Sequence, residues 1–302
     1  GKRAIDLRVS VLPTIFGEKV VMRILDPESL RTDLTKLGFP GAALDNFQHA
    51  IELPYGMILV TGPTGSGKTT TLYSALKTLN SPNVNIMTAE DPVEYNFEGI
   101  NQVLVRSDIG LTFAAALRSF LRQDPDIVMV GEIRDGETAE IAIRAALTGH
   151  LVFSTLHTND TASTIHRLVD MGVPAYLVAS ATKLIMAQRM TRKICTACRE
   201  EVPVEPEHIV ALGVSPEEAK TLKMFVGRGC GECANSGFAG RTGIFEVLPI
   251  SGTIERMILA GSGSEDIRQQ AMKDGMQTLR MAAIEKMKKG EIPLEQVLAE
   301  SA

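Results

Sequence analysis

Gly62-Pro63-Thr64-Gly65-Ser66-Gly67-Lys68-Thr69 has the spacing G-x-x-x-x-G-K-[ST], which suits a polyphosphate. Its glycines let backbone N–H groups turn inward around an anion. Lys68 would set a point charge at the β- and γ-phosphates and the Thr69 hydroxyl would ligate Mg²⁺, with Thr70 beside them. A helix that starts here aims its positive end at the same anion. A glycine-rich turn without a ligand would share this composition, so the flanks decide. Residues 57–61 form a short apolar run, the pattern of a buried parallel strand. Leu72, Leu76 and Leu79 then recur at helical spacing, and Asn80-Ser81-Pro82 closes the helix. This context agrees with nucleotide binding.

Three further apolar stretches run into polar clusters. Residues 84–89 lead to Glu90-Asp91-Pro92-Val93-Glu94, residues 126–130 to Gly131-Glu132-Ile133-Arg134-Asp135, and residues 151–155 to Leu156-His157-Thr158-Asn159. Helical patterns at 112–122 and 137–147 lie between them. Strands alternating with helices predict an open α/β sheet, where ligands bind outside the carboxyl ends of the strands. The glycine loop, Glu90, Glu132 and His157 would then meet in one crevice. A carboxylate beside a nucleotide polarises the attacking water or accepts its proton. Glu90 is the expected water-orienting group; a polar turn before Pro92 is the alternative. Glu132 would reach Mg²⁺ through water, because Gly131 stands where an aspartate often holds the metal. His150 and His157 bracket one strand, and packing or helix capping would account for either alone.

Cys195, Cys198, Cys230 and Cys233 are the only cysteines and form two C-x-x-C pairs. Two such knuckles supply four thiolates in a tetrahedron, the donor set of structural Zn²⁺. Redox exchange is the alternative chemistry. The long separation predicts a helical hairpin inside the insertion 195–233.

Residues 4–12 alternate apolar and polar side chains, and so do residues 19–25, as expected of two half-buried strands. A hairpin centred between Ile15 and Phe16 would set Val9 opposite Met22, Leu7 opposite Ile24 and Arg8 opposite Arg23. Two facing arginines repel unless an anion lies between or above them; two solvated arginines on a polar face is the alternative. Residues 26–35 are charged and aperiodic, which reads as a linker, and a short helix is expected near 40–52. Residues 174–194 are expected to form one long helix. Four more helices are expected at 251–260, 264–273, 278–289 and 293–300. Met272, Met276, Met281 and Met287 would pack in their core, and Lys286, Lys288 and Lys289 would mark a solvated helix end.

A chain of 302 residues holds one large domain or two ordinary ones. Hydrophobic residues at 44% and charged residues at 22% fit a soluble globular protein. The net charge of -5 argues against a nucleic-acid binder that works by bulk charge, and 5% aromatic residues leave little to stack on bases. No apolar run approaches the ~18 residues of a membrane span. No signal peptide is visible, so the cytosol is the expected compartment. The chain opens in what reads as mid-strand, which suggests that more sequence precedes it.

Together these motifs resemble the secretion-ATPase superfamily over nearly the whole chain. The resemblance rests on the loop 62–69, on Glu90-Asp91-Pro92-Val93-Glu94 as an acidic box, on Gly131-Glu132-Ile133-Arg134-Asp135, and on residues 149–159 as a histidine box. Asp6-Leu7-Arg8-Val9-Ser10 and Val21-Met22-Arg23-Ile24-Leu25 look like the end of the family's second N-terminal domain. The cysteine knuckles narrow the likeness to the branch that assembles type IV pili or powers type II secretion, since the retraction ATPases lack them. Residues 111–124 and 146–157 look closest to the pilus assembly members.

The resemblance implies that residues 1–26 end a PAS-like α+β domain and that 27–35 is a linker. Residues 36–302 would be a RecA-like α/β ATPase domain with the zinc insertion 195–233 and C-terminal helices 251–300. It implies a cytoplasmic homohexamer, peripheral at the inner membrane, docked on a platform protein. That ring would use ATP and Mg²⁺, carry Zn²⁺, and drive pilin assembly, with no nucleic acid and no membrane span. In the family, arginines at the positions of Arg8 and Arg23 reach the γ-phosphate, and His157 belongs to the site. Two other classes are a phosphate-loop kinase, which would need an acceptor lid, and a DNA motor, which would need a basic stripe.

Overall fold

A computed structural model describes residues 5–25 and 33–300 of the chain. β1 (Asp6–Thr14) and β2 (Gly17–Leu25) pair antiparallel as a separate two-stranded sheet. The register sets Arg8 opposite Arg23, Val9 opposite Met22 and Leu7 opposite Ile24, as the alternation of side chains requires. The strands are not half-buried, however. Leu7, Val9 and Val11 on one strand and Val20, Met22 and Ile24 on the other are all exposed, from 49% for Val20 to 68% for Ile24. A lone two-stranded ribbon has no second layer with which to cover its apolar face. Most of the linker expected at 26–35 lies outside the described residues. Its end forms a 3-10 turn, Leu34–Lys36, capped where the Thr35 N–H donates to the Asp33 carboxylate.

The chain then alternates as expected of an α/β fold. α1 (Gly41–Ile51), β3 (Gly56–Thr61), α2 (Lys68–Leu79), β4 (Ile86–Glu90), β5 (Ile100–Leu104) and α3 (Phe113–Phe120) come first. β6 (Ile127–Val130), α4 (Gly136–Leu147), β7 (Leu151–Leu156), α5 (Thr161–Asp170) and α6 (Ala175–Ala181) follow. β8 (Thr182–Ile194) continues straight from α6, so the single long helix expected over 174–194 is wrong. Leu184, Ile185, Met186 and Ala187 favour helices in isolation, but here they line both buried faces of a strand beside β3. Burial on both sides decides the conformation, not propensity.

Within the cysteine insertion lie β9 (Arg199–Val202), α7 (Pro206–Val210), α8 (Pro216–Ala219) and β10 (Met224–Gly227). The expected helical hairpin is present as two short helices, and an antiparallel β9–β10 ribbon closes its base. β11 (Phe238–Pro249) then returns to the main sheet, and α9 (Gly252–Leu259), α10 (Ser264–Lys273), α11 (Leu279–Lys288) and α12 (Leu294–Glu300) end the chain. Among the methionines, Met276 and Met287 are buried, whereas Met272 and Met281 are exposed. Lys286 is buried as well, against the expectation of a solvated end. No helix among the described residues is long and apolar enough to cross a membrane.

The seven-stranded sheet has the order β11-β8-β3-β7-β6-β4-β5. Its strands run parallel except β11, which is antiparallel to β8. Side chains alternate across the sheet with period two. Met57 and Leu59 enter one apolar core with α3 to α6 and α9, while Ile58 and Val60 enter another with α1 and α2. A third core joins α7, α8, α11 and α12 to Ala187 and Ile244 at the far edge. With both faces covered, the central strands are mostly apolar, with a few buried polar exceptions such as Ser154 and Gln188. The charged groups cluster at the strand ends, and there the site lies.

Candidate functional site

The glycine loop joins β3 to α2. Gly62, Gly65 and Gly67 have φ of +143°, +83° and +88°, which side chains rarely tolerate. Close packing adds a second demand: a Cβ at Gly62 would lie 2.3 Å from the Gln188 carbonyl oxygen. Lys68 is buried, and its Nζ donates to the carbonyls of Gly62 at 2.7 Å and Pro63 at 3.1 Å. Burial draws its pKa below the usual lysine range, and the charge of Glu132 opposes that. The Ser66 hydroxyl is buried with no hydrogen-bond partner. A phosphate oxygen in the loop would satisfy it, so the residues fit a nucleotide. Thr69 and Thr70 line the same cavity, about 600 Å³ in volume.

Glu90, Glu132 and His157 also line that cavity, at the ends of β4, β6 and β7. The two carboxylates are held differently. Glu90 is buried and accepts from Thr88 Oγ1 at 2.6 Å, from Gln102 Nε2 at 3.1 Å and from the Tyr73 hydroxyl. Glu132 is reached by the Arg134 guanidinium and, at 3.2 Å, by His157 Nε2. Burial opposes its ionisation, but Arg134 and His157 outweigh burial and hold the carboxyl below its usual range. Asp91 lies 3.8 Å from Arg134 and completes the polar rim. Gly131 has a packing reason: a Cβ there would be 3.2 Å from the Ala89 carbonyl oxygen and 3.6 Å from the Phe113 ring. An aspartate at this position would crowd the start of the acidic box.

Arg23 lines the cavity, and Arg8 lies 3.7 Å from Glu94 of the acidic box. The polar face of the hairpin therefore meets the cleft. His150 does not join it. That ring sits at the opposite end of β7, where Nδ1 meets the Ala145 carbonyl at 3.0 Å beneath α4.

Cys195, Cys198, Cys230 and Cys233 are unbridged, and their sulfurs all lie within 4.8 Å of one another. Cys195–Cys230, Cys198–Cys233 and Cys230–Cys233 Sγ separations are 3.9, 3.8 and 3.7 Å. A tetrahedron with bonds of about 2.3 Å to zinc has edges of about 3.8 Å, so the donor set fits that ion. The N–H groups of Cys230 and Gly237 donate to Cys233 Sγ at 3.2 and 3.3 Å. Burial raises the Cys233 pKa, and these donors outweigh it, bringing the thiol down to about 6.

The sequence matches the family described as "Type II/IV secretion system protein" over residues 1–299. The chain belongs to that family. It is 53% identical to the "Type IV pilus assembly ATPase PilB" of Myxococcus xanthus, across 100% of this chain and 54% of that protein. It is 47% identical to the "Type II secretion system protein E" of Klebsiella pneumoniae, across 99% of this chain and 59% of that protein. The chain thus spans about half the length of the curated relatives it matches. The crystal structure of the pilus retraction motor PilT with bound ADP aligns at a TM-score of 0.71 and 32% identity, over 98% of this chain and 74% of that one.

This secretion-family site has supporting residues that spacing did not reveal. Gln188, buried within β8, accepts from Thr71 Oγ1 at 2.8 Å and packs behind the glycine loop. A glutamine inside an apolar run was the available signal. Tyr73 joins α2 to the acidic box by donating to Glu90 and accepting from the Glu94 N–H at 3.3 Å. Nothing local distinguishes Tyr73 from a core aromatic, because its partners come from another strand.

Proposed function

We propose that this chain is the catalytic part of a motor ATPase that couples ATP hydrolysis to pilus assembly. In this reading residues 1–26 end an N-terminal domain, 27–35 link it, and 36–302 form the ATPase domain. The observation that carries the proposal is one cavity lined together by Lys68, Glu90, Glu132 and Arg23, beside the unpartnered Ser66 hydroxyl. A phosphate-loop lysine, a carboxylate for water and an arginine for developing charge are the parts that phosphoryl transfer needs.

Residues 62–70 hold the polyphosphate, and Lys68 leaves the loop carbonyls for the β- and γ-phosphates. Thr69 ligates Mg²⁺, which neutralises phosphate charge when bound. Glu90 orients the attacking water, and Glu132, kept charged by Arg134 and His157, would reach Mg²⁺ through water. His157 orients Glu132. Arg8 and Arg23 neutralise charge that develops at the γ-phosphate. Cys195, Cys198, Cys230 and Cys233 hold a structural Zn²⁺ away from this chemistry.

The working form in this reading is a cytoplasmic homohexamer at the inner membrane, acting on a platform protein. Relatives named for pilus assembly reach 53% identity and those named for type II secretion reach 48%, which favours pilin polymerisation over export. The deciding experiment measures phosphate release, nucleotide affinity and particle mass for the wild type and for Lys68→Ala. The expected result is ATP turnover by a ring-sized particle, and loss of turnover in a Lys68→Ala protein with unchanged far-UV dichroism. A folded variant with unchanged affinity and turnover would rule the site out.

A further inference from the structure

We infer a second anion site, apart from the glycine loop, in the cavity between the 3-10 turn before α1, the end of β8 and α11. Its volume is about 360 Å³. Five cations line it: Lys36, Lys193, Arg241, Lys286 and Lys289. Only two carboxylates join them, Glu285 and Glu291.

The pairing leaves positive charge unanswered. Lys36 is engaged by Asp33 at 3.2 Å, and Lys286 has Glu291 at 3.6 Å. Glu285 pairs with Lys288, which is not part of the cavity wall. Lys193, Arg241 and Lys289 have no carboxylate within ion-pair distance among the described residues. Lys286 is 8% exposed, and its Nζ is fixed 3.1 Å from Thr242 Oγ1. Gly38 keeps the facing wall bare: a Cβ there would lie 2.5 Å from Thr242 Oγ1 and 3.3 Å from Lys286 Nζ. Burial lowers the Lys286 pKa, Glu291 opposes that, and nearby Lys289 and Lys193 add to the lowering. One carboxylate at 3.6 Å leaves the like charges gathered around this buried ammonium only partly answered, and a further anion would complete the balance.

The ligand chemistry follows from the donors. Lysine ammoniums around one arginine fork suit a compact, multiply charged phosphate group. The volume holds a pyrophosphate-sized group and is too small for a folded peptide segment. Arg241 also lines the nucleotide cleft, so the two cavities share a wall.

The test uses inorganic pyrophosphate as the probe and the full chain carrying Lys68→Ala, which disables the glycine loop. Calorimetry should detect one bound pyrophosphate per chain. Adding Lys289→Glu or Lys193→Glu, each on the cavity rim, should weaken that binding at least about tenfold. Lys286→Gln should do the same, with near-UV dichroism to confirm its fold. Absence of binding to the Lys68→Ala chain, or binding indifferent to both rim reversals, overturns the proposal. Because the glycine loop is already disabled, either failure leaves the ATPase reading standing.

Discussion

Glu90 and Glu132 face one cavity under opposite constraints, and that difference is open to measurement. Glu90 accepts hydrogen bonds at both oxygens from Tyr73, Thr88 and Gln102. An amide in its place accepts at one atom only and aims donors at groups that already donate. Glu90→Gln should therefore lower stability by about 1–3 kcal/mol, read as a urea midpoint, besides slowing turnover. Glu132→Gln should cost less stability than Glu90→Gln, since Glu132 is part-exposed and loses only its contacts with Arg134 and His157, and should slow turnover by about 10²–10⁴-fold with ATP still bound. Equal effects of the two changes on stability would refute this contrast.

The charges around Glu132 also set a pH response. Arg134 and His157 touch it, and Lys68 acts on it from the loop. Arg134→Ala removes the larger support and leaves burial less opposed, so the carboxyl takes up a proton at higher pH. The acidic limb of the turnover profile should move toward neutrality. The sign for stability agrees. A depressed carboxyl stabilises the fold above its unfolded pKa and loses that contribution as pH falls through its folded pKa. The deficit of Arg134→Ala should thus be present at pH 7 and vanish in acid below the folded value. A profile that stays in place would remove Arg134 from this role. The types and spacing of Lys68, Glu90 and Glu132 were legible in the chain. Tyr73 and Gln102 were not, since what fixes Glu90 arrives from α2 and β5.

At the scale of elements, legibility followed burial. Strands covered on both faces, such as β3 and β7, announce themselves as short apolar runs before polar clusters. β8 does not, because its run continues from α6 without a break and carries Met, Leu and Ala. β5 is silent in the sequence for another reason: it is an edge strand with Asn101 and Gln102 in the middle. The cysteine knuckles were readable from spacing alone, and their insertion offers an element-scale prediction. β9 and β10 pair at its base, and the Cys195 N–H donates to the Gly237 carbonyl at 2.9 Å. The insertion also packs α7 and α8 against α11 in a core separate from the one that holds α2. Chelation of one Zn²⁺ per chain should raise amide exchange across 195–233 while ADP affinity stays within about twofold. Metal analysis that finds no zinc, or exchange that rises equally around residues 62–69, would contradict this arrangement.

Among the described residues, the two-stranded hairpin meets the cleft of the seven-stranded sheet through charged side chains. The hairpin has its own sheet, its apolar face is exposed, and its polar face carries two opposed arginines toward the cleft. Arg8 is engaged by Glu94 at 3.7 Å, with Arg8 half exposed, so the contact is weak and screened. A γ-phosphate offers more charge and more acceptor oxygens than one carboxylate, and an arginine fork matches it. Exchange of Glu94 for phosphate would draw the hairpin toward the cleft while ATP is bound and release it after hydrolysis. That is a physical route from chemistry to domain motion. Arg8→Ala and Arg23→Ala should then leave ADP affinity nearly unchanged and reduce ATP turnover at least about tenfold, short of the 10³–10⁵ of a solitary arginine finger because each can partly cover for the other. Lysine at either position should restore only part of the rate, since it returns the charge without the fork. Normal turnover in both alanine variants, or equal weakening of ADP and ATP binding, would mean that the arginines are ordinary surface charge and that the hairpin moves, if it moves, for another reason.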